Sequence, residues 1–258
     1  ILKLTTYNNY EILVVENNST DQKTFEYYKE LEKSEKIRVI EYKEKGFNYS
    51  KIINFGVKNC EGSEFVVQLN SDTELLTPNW LEKFIGYAQR KDVGAVGARL
   101  YYEDKSIQHA GIGIGICDLA ANLLTNTPKN FHAYFGRECL PQNLSAVTGA
   151  CLFSRRSIYE EVGYMDEENF AVAFNDVDFC LKIRQAGYLI VYNPYIEFMH
   201  YESKTRGYED TPEKKARFER ESNNFKTKWR KVLDAGDPYS NINFDKNTAQ
   251  YNIRTDKI

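Results

Sequence analysis

No two of the five cysteines stand in C-x-x-C spacing; Cys60, Cys117, Cys139, Cys151 and Cys180 form an odd, scattered set. A disulfide scaffold or a zinc site is therefore not expected, and a reducing compartment is the simplest setting. A basic surplus is also missing: 34 Lys and Arg face 37 Asp and Glu, for a formal charge of -3. That balance gives no electrostatic case for nucleic acid. No apolar run approaches the ~20 residues that span a bilayer, and no signal-peptide pattern is present. The expectation is a cytoplasmic chain. A glycine fingerprint for dinucleotides is absent too. "GIGIGIC" (111–117) alternates Gly with Ile at period two, which is strand-like, and no helix pattern follows it. A nicotinamide-dependent oxidoreductase would need that fingerprint after the first strand, where "VVENNSTD" stands instead. Finally, there is no initiator Met, and "ILKLTTYNN" reads as the last turn of a helix, so a fragment of something longer is expected.

What is present suits one substantial core: 258 residues, 42% of them hydrophobic. Short β-branched runs at 11–15, 37–42, 64–70 and 93–102 read as strands, alternating with helix patterns at 21–35, 50–60 and around Trp80, Leu81, Phe84 and Ile85. Alternation of this kind predicts an α/β fold with a mixed, mostly parallel central sheet and flanking helices. Residues 107–153 read as hairpins, 188–193 and 195–201 as two strands bracketing Pro194, and 212–232 as one charged amphipathic helix. Trp80 falls on an apolar helix face and is assigned to the core.

Ligands of open α/β sheets bind beyond the carboxyl ends of the strands. Three polar clusters fall at such ends: "ENNSTD" from Glu16, "NSDTE" from Asn70, and His200 after the late strand. Turn chemistry explains any one of them. Hard cations favour carboxylate and phosphate oxygens, and Mn2+ also accepts an imidazole, so Asp72 with His200 would suit Mn2+ or Mg2+ beside a diphosphate. "NDVD" (175–178) opens a helix-like run with two carboxylates, Asp176 and Asp178. Either Asn175 or Asp176 can cap that helix, and acids are stable near its positive end.

The ordered runs "EILVVENNSTD", "FNYSKIINFGVKNCEGSEFVVQLNSDTEL", "VGAVGARLYY", "IQHAGIGIG", "AVTGACLFSRR", "VGYMDEENFAVAFNDVDFCLKIRQAGY" and "HYESKTRG" resemble inverting family 2 glycosyltransferases. The likeness runs from about Tyr10 to Tyr239 and is nearest to bacterial members that build rhamnan, O-antigen and other surface polysaccharides. It implies a GT-A, Rossmann-like fold over one domain, with a donor half (1–105), an acceptor-side half (106–205) and a C-terminal helix and tail (206–258). It also implies transfer of a sugar from a UDP- or dTDP-linked donor to a saccharide or lipid-linked saccharide, with inversion. The parent protein would then work as a peripheral enzyme at the inner membrane face, and a homodimer is one possible assembly.

By the same resemblance, the family's D-x-D is Asn70-Ser71-Asp72, which leaves Asp72 and His200 as metal ligands and Asn70 as a neutral contact. Glu16, Asn18, Lys51 and Asn54 would line the donor pocket. His109, Thr148 and Gly149 would lie near the transferred sugar or the acceptor. Asp176 would be the general base, with Asp178 the second candidate; residues i and i+2 diverge on a helix, so both cannot face one hydroxyl. The family's opening strand and helix lie before "EILVV" and are missing here, which predicts an exposed sheet edge, weak nucleotide binding and little activity. The alternative is a noncatalytic nucleotide-sugar or carbohydrate-binding module of the same fold.

Overall fold

The computed structural model describes residues 1–201 and 211–255. A single turn opens the chain, with the Leu4 and Thr5 amides on the Ile1 carbonyl. The predicted alternation follows: β1 (Ile12–Glu16), α1 (Gln22–Leu31), β2 (Ile37–Glu41), α2 (Tyr49–Lys58), β3 (Phe65–Leu69), β4 (Thr73–Leu75), α3 (Trp80–Ala88) and β5 (Val93–Tyr101). The hairpin region resolves into β6 (Ile107–His109), β7 (Ile112–Ile114), β8 (Ala120–Asn122), a 3-10 turn over Tyr134–Cys139, β9 (Gln142–Leu144) and β10 (Cys151–Arg155). Then come α4 (Arg156–Glu161), α5 (Asn175–Gln185), β11 (Leu189–His200), α6 (Pro212–Lys228) and α7 (Arg230–Ala235). Side-chain caps start α1, α2 and α6: Asp21 on the Lys23 amide, Asn48 on the Lys51 amide, and Thr211 on the Lys214 amide ahead of Pro212.

The central sheet differs from the expected one. Its strand order is β3-β10-β5-β11-β4, with β6 paired to β5 and β9 to β11. Of these pairings only β5 with β11 is parallel. The reason is β10: it returns from the hairpin region and inserts antiparallel between β3 and β5, which thereby keep a common direction. The parallel β1–β2 pair forms a sheet of its own.

Two element boundaries also change. The two strands expected around Pro194 are one strand, β11, whose register against β5 shifts between Asn193 and Glu197. A proline lacks the ladder donor, and the irregular register is where that donor is not needed. The helix expected over 212–232 breaks at Trp229, which is buried (3% exposed) and joins α6 to α7. The "ESKTRG" part of the last resemblance motif lies outside the described residues.

The core sits on both faces of β5, where Ala95, Val96, Ala98 and Leu100 are fully buried. Trp80 is in it as expected, with its indole N–H on Thr5 Oγ1 at 2.9 Å. The C-terminal tail wraps this hairpin region: the Cys117 and Leu124 amides donate to the Lys246 and Ala249 carbonyls. Helix α5 crosses β5 at Gly94, where an added Cβ would stand 2.2 Å from Ile183 Cγ2 and 2.7 Å from Tyr188 Cβ. Gly94→Ala is therefore expected to cost about 1–3 kcal/mol by overpacking, read from the urea midpoint. An unchanged midpoint would mean α5 can move off the sheet.

Candidate active site

Strand β3 ends at Leu69, and a short reversal through Asn70 carries Asp72 beside the end of β11. Asp72 Oδ1 stands 3.2 Å from His200 Nε2, and both side chains are largely buried. Gln108, on β6, decides the state of that ring. Its amide Nε2 donates to the His200 carbonyl (3.4 Å), which turns its Oε1 toward His200 Nδ1 at 2.7 Å. A carbonyl oxygen can only accept, so Nδ1 carries a hydrogen, and in the neutral ring Nε2 is the nitrogen whose lone pair faces the Asp72 side. Asn70 Nδ2 also contacts Nε2, at 3.2 Å. One carboxylate and one imidazole lone pair facing each other form a donor set that fits Mn2+ or Mg2+, with Mn2+ the better match to the imidazole.

The two carboxylates of "NDVD" part company. The N-cap of α5 is Phe174, in left-handed backbone (φ 60) and without a side-chain cap. Asp176 takes up the task from inside the helix: Oδ1 accepts from the Val177 amide (2.8 Å) and Oδ2 from the Gly149 amide (2.9 Å). Burial raises its pKa, and the Gly149 and Val177 amides oppose that rise. Asp178 points elsewhere. It is fully buried, accepts from Trp229 Nε1 at 2.8 Å and pairs with Lys228 Nζ at 2.7 Å. Asp178, named with Asp176 as a catalytic candidate, thus ties the end of α6 to α5 rather than facing a substrate.

Gly149 is the joint between these groups. An added Cβ would lie 2.7 Å from Gln68 Nε2 and 3.3 Å from Asp176 Cβ, so the close approach requires glycine. Its carbonyl accepts from Gln68 Nε2 (3.0 Å) and Tyr49 Oη (2.8 Å). The same Tyr49 hydroxyl lies 3.0 Å from Asn70 Oδ1, and the Asn70 amide donates to the Ala150 carbonyl. A continuous polar chain therefore runs from Asp176 through Gly149, Tyr49 and Asn70 to His200 and Asp72. His109 stands behind it. Burial lowers its pKa to about 4, so the ring is neutral; Nδ1 bonds Asn122 Oδ1 and Nε2 accepts the Thr148 amide. His109 positions the Thr148–Gly149 turn, and the Thr148 hydroxyl accepts from the Ala150 amide.

The expected donor residues gather around the loop between β2 and α2. Glu16 is buried and its carboxylate accepts the Ser19 amide at 2.6 Å. Asn18, at φ 57, donates to the Glu44 and Gly46 carbonyls. Lys51 pairs with Glu44 on the surface. A cleft of about 280 Å³ opens there, bounded by Tyr42, Glu44, Lys45, Gly46, Phe47, Asn48 and Lys51. Asn54 is spent instead on structure: its amide grips the Met165 carbonyl and amide and Glu167 Oε1. Tyr49, Gln68 and Gln108 escaped the sequence reading.

The chain is similar to known proteins in sequence and in fold. The chain is 45% identical over 94% of its length to y4gI of Sinorhizobium fredii, and 34% identical over 83% to O-antigen biosynthesis protein RfbC of Myxococcus xanthus. It spans only 26% and 16% of those two proteins. In structure it resembles the mannosyltransferase PcManGT of Pyrobaculum calidifontis, solved in complex with GDP-Man and Mn2+, at TM-score 0.59 and 16% identity over 90% of this chain and 58% of that one. Residues 1–163 match the glycosyl transferase family 2 profile. With its GT-A fold, the chain belongs to glycosyl transferase family 2.

Proposed function

We propose that this domain transfers a sugar from a nucleoside-diphosphate donor to an acceptor hydroxyl with inversion, in the assembly of a surface polysaccharide. The observation that carries the reading is Asp176: a carboxylate at the start of α5, held by two backbone amides and joined through Gly149, Tyr49 and Asn70 to the Asp72–His200 pair. As base, Asp176 takes the proton of the acceptor hydroxyl while that oxygen attacks the anomeric carbon from the face opposite the departing diphosphate. Its amide bonds hold the carboxylate in one orientation before the acceptor arrives. Asp72 and His200 would hold Mn2+ or Mg2+, whose charge offsets that of the leaving diphosphate. Asn70, standing where the family has an acid, contributes orientation and no charge.

The nucleotide belongs in the cleft beside Lys51, where Asn18 holds the Glu44 and Gly46 carbonyls. The acceptor, a saccharide or lipid-linked saccharide, approaches from the α5 side. No helix among the described residues is long and apolar enough to cross a membrane; contact with a lipid-linked acceptor at the inner membrane face would be peripheral. A noncatalytic binding module is the second reading, favoured by the neutral Asn70.

Titration calorimetry with UDP, dTDP and GDP, with and without Mn2+, tests the donor half. Binding is expected to strengthen at least about 10-fold with Mn2+ and to lose that increment in Asp72→Ala. Metal-independent binding, equal in the parent chain and the variant, would remove the Asp72–His200 pair from the proposal.

A further inference from the structure

A second group of ligating side chains lies in the stretch leading into and through the 3-10 turn Tyr134–Cys139. His132 Nδ1 is 3.0 Å from Glu138 Oε1. Cys139 Sγ is 3.3 Å from that oxygen and 3.5 Å from His132 Nδ1. A tetrahedral zinc ion with ligands at 2.0–2.3 Å sets edges of about 3.3 Å between nitrogen and oxygen and about 3.5 Å to sulfur. The three donor atoms already form a triangle of nearly that size.

A separate observation bears on a cation here. The Glu138 side chain is fully buried, and its second oxygen, Oε2, is buried without a hydrogen-bond partner. Its main chain is fixed, with the carbonyl accepting from Tyr192 Oη at 2.9 Å and Arg99 Nη1 at 3.3 Å. Arg99 gives its ion pair to Glu197 and comes no nearer to the three donor atoms than 3.9 Å, between Nη1 and Cys139 Sγ. A buried carboxylate oxygen without a partner is costly, and a bound cation removes that cost. His132 is 70% exposed at the side chain, which leaves a way in and a fourth position for water.

We propose that His132, Glu138 and Cys139 bind a borderline-soft divalent cation, Zn2+ by the nitrogen, oxygen and sulfur character of the set. This site is separate from the Asp72–His200 pair and does not rest on the donor reading. It departs from the expectation of no zinc site, which cysteine spacing alone supported; here a single cysteine would be completed by His and Glu. The ion would staple a segment that carries left-handed backbone at Phe135 and Gly136 and exposes Phe131 and Phe135. Binding displaces the Cys139 thiol proton to solvent.

The test uses the full chain carrying Asp72→Ala, titrated with Co2+ and then with Zn2+. One equivalent of Co2+ is expected, with thiolate-to-cobalt charge-transfer absorption that Zn2+ bleaches. Adding Cys139→Ser should abolish that absorption, and His132→Ala, at an exposed position, should weaken binding at least about 10-fold. Cys117→Ser should leave both unchanged. A chain that binds no ion in the Asp72→Ala background would overturn the site. So would an absorption that survives Cys139→Ser, or affinity indifferent to His132→Ala.

Discussion

Asp176→Asn is expected to lower turnover about 10²–10⁴-fold while nucleotide binding stays within about twofold of the parent chain. The substitution removes the proton acceptor and little else in shape. Asparagine can still accept one of the two amides that now bind the carboxylate, so α5 keeps its start. The pH profile of the parent chain should carry the same assignment. A base must be ionised, and burial raises the Asp176 pKa above 3.8. The rate is therefore expected to fall as pH drops through a value above that of an exposed aspartate, and the variant should lack this acidic limb. Stability runs the other way. The folded chain holds this proton to higher pH than the unfolded chain does, so Asp176 favours folding most at low pH and progressively less as pH rises through its folded pKa. Unchanged turnover in Asp176→Asn would leave the binding module as the better reading.

Trp229→Ala is expected to cost about 3–5 kcal/mol, the largest stability effect among these variants. Two losses coincide at that residue. The indole fills the buried joint between α6 and α7, and its N–H is one of two groups holding Asp178. Asp178 already has one buried oxygen without a hydrogen-bond partner. Removing the indole leaves Lys228 to hold the carboxylate beside an empty cavity. Trp229→Phe separates the two losses: most of the volume stays, the N–H goes, and about 1–3 kcal/mol should be lost. Urea midpoints measure both. Equal losses for the two variants would assign the whole effect to the hydrogen bond and refute the cavity.

That same residue marks where the sequence stops being readable. The i, i+2 spacing of Asp176 and Asp178 already says that only one can face an acceptor hydroxyl. Which one depends on Trp229, 51 residues from Asp178, and no local pattern reports that contact. The sheet has the same limit. Strands β1, β2, β3 and β5 are legible from their apolar runs, because burial pattern and chain alternation are local. The insertion of β10 between β3 and β5 is a long-range pairing, and it turns a parallel expectation into a mixed sheet. Pro194 suggested a break between two strands, but β11 runs through it with a register shift. At the site, Asp72, His200, Asp176 and Gly149 stand out by residue type at strand and helix ends. Gln108 and Tyr49 do not, since an amide and a phenol are common on any surface and acquire their roles only from what they touch.

The Tyr49 hydroxyl has one proton and two acceptors within reach, Gly149 oxygen and Asn70 Oδ1. It can satisfy only one of them at a time. Whatever draws Asn70 toward His200 and Asp72 frees that proton for Gly149, whose amide orients Asp176. Occupancy on the donor side and readiness of the base then become linked equilibria, and the linkage must act with equal strength in both directions. If Asp176 is the base, an acceptor that settles it should tighten the donor by the same factor that the donor tightens the acceptor, so a single phenolic proton would couple the two sides of the cleft without favouring either order of binding.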